Sequence, residues 1–296
     1  MQVGIQLPEA ERFVPWTEYR EMAVLAEDVG FDSLWLGDHL FYDKPDGLIG
    51  PHECWSLLAA VAAVTERVLL GPLVTPTGFR NPAMLAKMAA TVDEIAGGRL
   101  VLGLGSGWYR REFEGFGHPF DNRVSRFAEA FTIITDLVRT GRSDREGEWH
   151  RADDARLVPP ARPDMPIMVG STGPRMLAIA AAEMNWWNEW WSRVDNDPAK
   201  HPPRIDVRDQ ALTEAGRDPA EVTRSVAVMV ELPGGTGRTQ GTTEQVEPIA
   251  GPPERIAERL LEFEGLVDHL QLVVDPITSA SVEALAPVVV AVQAAA

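Results

Sequence analysis

Short apolar runs alternate along the whole chain with longer stretches of helical period. Eight runs read as strands: Gln2–Leu7, Ser33–Gly37, Val68–Val74, Leu100–Leu104, Met165–Val169, Trp186–Trp190, Ser225–Glu231 and His269–Val274. Most are nearly continuous in apolar character, the pattern of strands buried on both faces. Helical segments fall near Thr17–Val29, His52–Thr65, Pro82–Ile95, Arg123–Arg139, Pro174–Ala182, Arg204–Ala215 and Pro252–Phe263, with a last one from Ser281 to about Val292. Strand followed by helix eight times over predicts an α/β fold, a closed parallel (β/α)8 TIM barrel in one domain spanning residues 1–296. An open doubly wound sheet is the alternative. It needs an edge strand with polar alternation, and the sequence offers none.

Local signals mark the element ends. Asn81-Pro82 supplies an N-cap followed by proline at the first helical position. Gly97-Gly98 ends that helix with residues that tolerate positive φ, and Gly30 ends the first helix in the same way. Two long polar insertions, residues 141–163 and 233–248, read as rim loops or lids, with plain surface irregularity as the alternative for the second.

Composition narrows the classes. A chain of 296 residues suits one barrel, which typically takes ~250. The formal net charge of −17 repels a phosphate backbone, so nucleic acid is not expected as a partner. No run of ~18 apolar residues is present, so no membrane span is expected. The first eight residues read as a strand rather than a cleavable leader. The single Cys54 rules out an internal disulfide and fits a reducing cytoplasm. The six histidines are scattered without zinc spacing, so no metal site is expected.

In a barrel of this type the chemistry sits where strands end and helices begin. After the second strand stands Gly37-Asp38-His39. His39 is positioned as a general acid or base, with a structural histidine bonded to Asp38 or to backbone as the alternative. After the third strand, Leu73-Val74-Thr75-Pro76-Thr77-Gly78 reads as a tight loop able to press peptide groups against a planar ligand, with an ordinary βα turn as the alternative. After the fourth, Gly103-Leu104-Gly105-Ser106-Gly107-Trp108-Tyr109 lets a ligand approach the backbone closely and offers aromatic walls. After the fifth, Gly170-Ser171-Thr172-Gly173-Pro174-Arg175 opens directly onto a helix. Free N–H groups, the helix dipole, two hydroxyls and an arginine make it a phosphate-binding candidate; a structural turn is the alternative. The run Trp186-Trp187-Asn188-Glu189-Trp190-Trp191 holds four of the nine tryptophans and reads mainly as packing.

Taken together and in order, several segments resemble the bacterial-luciferase-like superfamily of flavin- and deazaflavin-dependent oxidoreductases. They are Phe31–His39, Thr75–Ala83, Gly97–Trp108, Gly170–Arg175 and Asp268-His269-Leu270-Gln271-Leu272. The resemblance implies hydride transfer between coenzyme F-420 and a small organic substrate, with reduced-FMN monooxygenation as the alternative. It implies that the ring lies at the end of strand three, over a non-prolyl cis peptide near Leu73-Val74. Phosphate is expected at Gly170–Arg175, proton transfer at His39, and Asp38 and Ser106-Gly107 around ring and tail. It also implies a homodimer formed through helices beside strands two and three.

Two departures bear on substrate. Sugar-phosphate dehydrogenases of the superfamily carry an acidic residue where this chain has Trp108, which argues against that substrate class. Met184-Asn185-Trp186-Trp187-Asn188 replaces the family's usual Ala-Asp-Gly-Trp-Asn, which implies a narrow, apolar, aromatic pocket. Outside redox chemistry, an aldolase or phosphosugar isomerase would need a Lys or Glu at a strand end; Lys44, Lys87 and Lys200 do not lie at one. A non-catalytic cofactor-binding scaffold is the remaining alternative.

Overall fold

The computed structural model describes residues 1–45, 47–235 and 246–295. The barrel strands are β1 (Gln2–Gln6), β2 (Ser33–Leu36), β3 (Leu69–Pro72), β4 (Leu102–Gly105), β5 (Ile167–Gly170), β6 (Trp186–Trp190), β7 (Thr223–Glu231) and β8 (His269–Asp275). All their pairings are parallel, and β8 returns to β1 in register Gln2↔His269 to Ile5↔Leu272. Between β3 and β4 the ring closes through a bridge of Leu70 with Leu100, in which the Leu70 N–H donates to the Arg99 carbonyl. The helices are α1 (Trp16–Asp28), α2 (Cys54–Ala62), α3 (Pro82–Ile95), α4 (Arg110–Gly115), α5 (Arg123–Thr140), α6 (Pro174–Ala180), α7 (Pro202–Glu214), α8 (Pro253–Leu261), α9 (Ser279–Ala284) and α10 (Ala286–Ala294). The eight strands and the barrel are those the hydrophobic pattern predicts.

Alternation along each strand divides the core in two. Outward residues such as Val3, Ile5, Leu34, Leu102, Val226, Leu270 and Leu272 pack against the helices. Inward residues Trp35, Val101, Met168, Trp186, Ala227, Met229 and Val273 fill the barrel. One side of the interior is polar. The Trp35 indole N–H donates to Ser33 Oγ at 2.6 Å, and Ser33 Oγ lies 2.7 Å from His269 Nε2. Gly4 makes room for this trio: a Cβ there would stand 1.9 Å from Ser33 Oγ and 2.8 Å from Trp35 Nε1.

Four local readings change. The third strand does not run unbroken through Val68–Val74. It stops at Pro72, the Leu73-Val74 peptide is cis, and Thr75–Pro76 resumes pairing with Leu104–Gly105. The 141–163 insertion is not a lid. Arg142–Glu146 and Arg151–Arg156 form an antiparallel hairpin, and Glu129 of α5 accepts the N–H groups of Glu148, Trp149 and His150 at its turn. Alternation inside that polar segment buries Ser143 and Ala152 and leaves charged neighbours exposed, so one face docks on α5. The final helix is two, broken at Leu285 ahead of Pro287, whose ring cannot continue a helix from the preceding turn. The second insertion, 233–248, falls largely outside the described residues. Among the described residues no helix is long and apolar enough to cross a membrane.

Candidate functional site

A cavity of about 610 Å³ opens at the C-terminal ends of the strands, the place where barrels of this type carry their chemistry. Each strand end delivers particular groups to it. β2 ends in Gly37-Asp38-His39, and His39 lines the wall. Its Nδ1 lies 2.9 and 3.1 Å from the two carboxyl oxygens of Glu112. A carboxylate only accepts, so Nδ1 carries the proton and Nε2 is left for the cavity. Glu112 is fully buried and also accepts the Leu40 N–H at 2.9 Å, which fixes the carboxyl group that holds the ring.

Glu9, just past β1, stands on the other side, with Oε1 4.0 Å from His39 Nε2. Glu9 accepts from Gln6 Nε2 at 2.6 Å and from the Tyr42 hydroxyl at 2.5 Å. Gly37 permits this: a Cβ there would meet the Glu9 carboxyl at 2.4 Å. Burial disfavours a charged imidazole. The hydrogen bond to Glu112, with the charges of Glu9, Glu112 and Asp38, more than offsets it, so His39 titrates above its ordinary value. Trp108 lies edge-on to His39 at 5.6 Å, and Tyr42 sits 4.8 Å from the same ring, which encloses His39 in aromatic surface.

The opposite wall is built by three strand ends. Leu73, Val74 and Pro76 come from the broken third strand, Gly105, Ser106, Gly107 and Trp108 from the end of β4, and Gly170, Ser171 and Thr172 from the end of β5. Val74 packs across two of these glycines. A Cβ on Gly105 would meet its Cγ2 at 2.8 Å, and one on Gly170 at 3.0 Å. The start of α6 has no side-chain cap, so its first-turn N–H groups have no side-chain acceptor beside this turn.

Several expected residues lie elsewhere. Asp38 is buried behind the wall, held by Arg80 at 2.6 and 3.0 Å, and Arg80 also pairs with Glu53; Asp38 braces the loop after β3 instead of facing the cavity. Thr75 is fully buried, its hydroxyl accepting from Trp55 Nε1 at 3.0 Å. Gly173, Pro174 and Arg175 sit beyond the lining, and the Arg175 guanidinium donates to Ser125 Oγ at 2.9 Å. Trp186 is a core ring, 6.1 Å from Trp35 and 5.1 Å from His269, because its strand position points it into the barrel. The free Cys54 is buried, and burial pushes its thiol up, so it is inert.

The expectation of a narrow, apolar pocket also fails. The end of β6 brings Asn188, Glu189 and Trp190 to the cavity, followed by Ser192 and Arg193, with Arg204 from α7 beside them. Glu189 is fully buried, its Oε2 3.4 Å from Arg204 Nε, and burial pushes the carboxyl up to about 7 against the pull of that arginine. Sequence reasoning missed Glu9, Glu112, Glu189, Arg193 and Arg204. Glu9 stands two residues past Leu7, where the strand-end rule could have found it. A lone carboxylate inside a tryptophan run was the signal for Glu189. Nothing local marks Glu112 or Arg204.

These features define a barrel whose mouth holds a histidine between two carboxylates, facing a glycine- and hydroxyl-rich wall. A family model described as luciferase-like monooxygenase matches residues 1–232. The chain belongs to that family and is an oxidoreductase. It is 32% identical over 269 residues to the 5,10-methylenetetrahydromethanopterin reductase of Archaeoglobus fulgidus, covering 88% of this chain and 73% of that one. It is 37% identical over 271 residues to an F420-dependent glucose-6-phosphate dehydrogenase of Nakamurella multipartita, covering 89% and 78%. It is 30% identical over 241 residues to the pyrimidine monooxygenase RutA of Methylorubrum populi, covering 74% and 62%. In fold it matches an F420-dependent secondary alcohol dehydrogenase, with TM-score 0.84, 19% identity and 98% of both chains covered.

Proposed function

We propose that the protein transfers a hydride between coenzyme F-420 and a small organic substrate inside this cavity. The observation that carries the reading is His39, held through Nδ1 by Glu112 with Nε2 left free of a hydrogen bond among the described residues, lining the same cavity as Leu73-Val74, Ser106-Gly107 and Gly170–Thr172. The residues fit the cofactor. The turn at Gly170–Thr172 offers hydroxyls beside an uncapped helix start, which suits a phosphate. Leu73, Val74 and Pro76 offer an apolar bed for a planar ring. When bound, F-420 supplies a two-electron hydride and no proton. His39 completes the balance, giving a proton to a carbonyl oxygen or taking one from an alcohol through Nε2. Glu112 fixes the ring, and Glu9 offsets the charge of the protonated form. Trp108 over His39 leaves no carboxylate at that position, which disfavours a sugar phosphate.

Reduced FMN with oxygen is the second reading, supported by the likeness to a pyrimidine monooxygenase. Titration of the purified protein with F-420 and with FMN, followed by fluorescence, separates the two. Tight binding of F-420 and weak binding of FMN is the expected outcome; tight binding of neither would sink both readings. The reading includes a cytoplasmic setting, in keeping with the free thiol of Cys54. It also includes assembly as a homodimer.

A further inference from the structure

The cavity has a second charged end that hydride transfer does not use. We infer that Arg193 and Arg204, at the junction of β6 and α7, form an anion subsite that recognises a carboxylate or phosphate group of the substrate. The inference deepens the proposed function and rests on the same cavity being the substrate site.

Three observations support it. First, both arginines line the cavity, although the chain as a whole carries a net charge of −17. Second, Arg204 is aimed. Its Nε faces Glu189 Oε2 at 3.4 Å, an ion pair without hydrogen-bond geometry, and its Nη2 donates to the Arg193 carbonyl at 3.0 Å. A guanidinium has five N–H donors in a rigid fork. Two directions are thus taken on the protein side, and the Nη1 edge has no acceptor among the described residues. The side chain is one-third exposed, so that edge is open to a ligand. Third, Arg193 is exposed and forms no ion pair within 4 Å among the described residues; its charge acts on Glu189 at longer range, which leaves its guanidinium donors open to a ligand.

Glu189 is the positioning residue. Its carboxyl is fully buried and its Oε2 lacks a hydrogen bond, a costly arrangement for a group with no further role. Holding Arg204 against the wall gives it one. The geometry suits planar, bidentate recognition of an oxyanion, and Trp190 beside it offers a face for an aromatic or unsaturated body.

The same chemistry could come from an anionic tail on the cofactor, so the test has two arms. Benzoate and benzamide are titrated against the protein, with quenching of the cavity tryptophans as readout. F-420 is titrated with its glutamate tail and with the tail removed. Benzoate is expected to bind at least tenfold more tightly than benzamide. Arg204→Met should weaken benzoate at least tenfold and leave benzamide and both forms of F-420 unchanged. Glu189→Gln should weaken benzoate severalfold, less than Arg204→Met does. Equal affinity for benzoate and benzamide, or no binding of either, overturns the subsite. A loss confined to tailed F-420 moves the anion to the cofactor and overturns the substrate assignment. Failure of F-420 and FMN to bind sinks the proposed function on its own, whatever benzoate does.

Discussion

The pairing of His39 with Glu112 decides what the cavity can do at a given pH. A histidine with no partner loses its charge near neutrality. Here the buried Glu112 carboxylate and nearby Glu9 favour the charged ring, and its titration point is raised despite burial. The charged ring, the form that can donate a proton from Nε2, is therefore favoured in His39 relative to a histidine with no partner. Replacing Glu112 with Gln keeps an acceptor for Nδ1 but removes the charge. The His39 ring-proton resonance, followed by NMR across pH 5 to 9, should then titrate at lower pH in the variant than in the parent. An unchanged midpoint would show that Glu112 does not set the charge of the ring. His39 itself was legible because a titratable residue two places past a buried strand end must lie at the mouth. Asp38, one place earlier, was legible only as polar. The alternation that turns His39 toward the cavity turns Asp38 toward Arg80, and the arginine that claims it lies forty-two positions away. Glu112 was not legible at all, since it reaches His39 through the packing of a short helix and no spacing rule links the two.

At the scale of elements, the strands were readable because buried parallel strands are apolar on both faces. What the pattern could not show is where a strand stops pairing. β3 ends at Pro72 by backbone geometry at Leu73-Val74, and its apolar run continues unbroken past that point. The hairpin at 142–156 was equally hidden, because its strands are mostly charged and turn only the small residues Ser143, Ala152 and Ala155 toward the core. The junction before α7 yields a testable consequence of burial. His201 is fully buried against the edge of Phe263, and neither ring nitrogen has a partner among the described residues. Burial pushes its pKa down to about 4. The folded state holds this ring neutral, while the unfolded chain takes up a proton near pH 6.5. Its contribution to stability is therefore present above pH 6.5 and is lost as the pH falls toward 4. At pH 5 that loss amounts to about 2 kcal/mol, taking about 1.4 kcal/mol per pH unit. Replacing His201 with Leu removes the titration. The stability of the variant relative to the parent, measured by urea unfolding, should rise by about 2 kcal/mol between pH 8 and pH 5. A difference independent of pH would mean that the ring is hydrated or paired in solution.

The whole molecule carries a charge of −17, and a second copy carries the same. At low salt the two repel, so a homodimer must be held by apolar contact. The outer face of α3 offers such contact. Met84 and Ile95 are 57% and 45% exposed in the single chain. They are eleven residues apart, close to three full turns, so they share one face, and Met88 and Thr91 fill the steps between them. A stripe at i, i+4, i+7 and i+11 with no carboxylate in it is unusual on so acidic a surface. It sits on the helix that follows β3, one of the helices through which pairing is expected. If the stripe is the interface, two consequences follow. Raising salt from about 0.02 to 0.15 M should strengthen the dimer, because screening weakens the repulsion and leaves the apolar contact untouched. The double variant Met84→Asp, Ile95→Asp should run as a monomer in light scattering at tens of micromolar protein, with the far-ultraviolet spectrum of the parent. The residues of the cavity lie on other elements, so F-420 affinity should be preserved in that variant. A parent protein that is monomeric at both salt concentrations would remove the dimer. A double variant that stays dimeric would move the interface off α3.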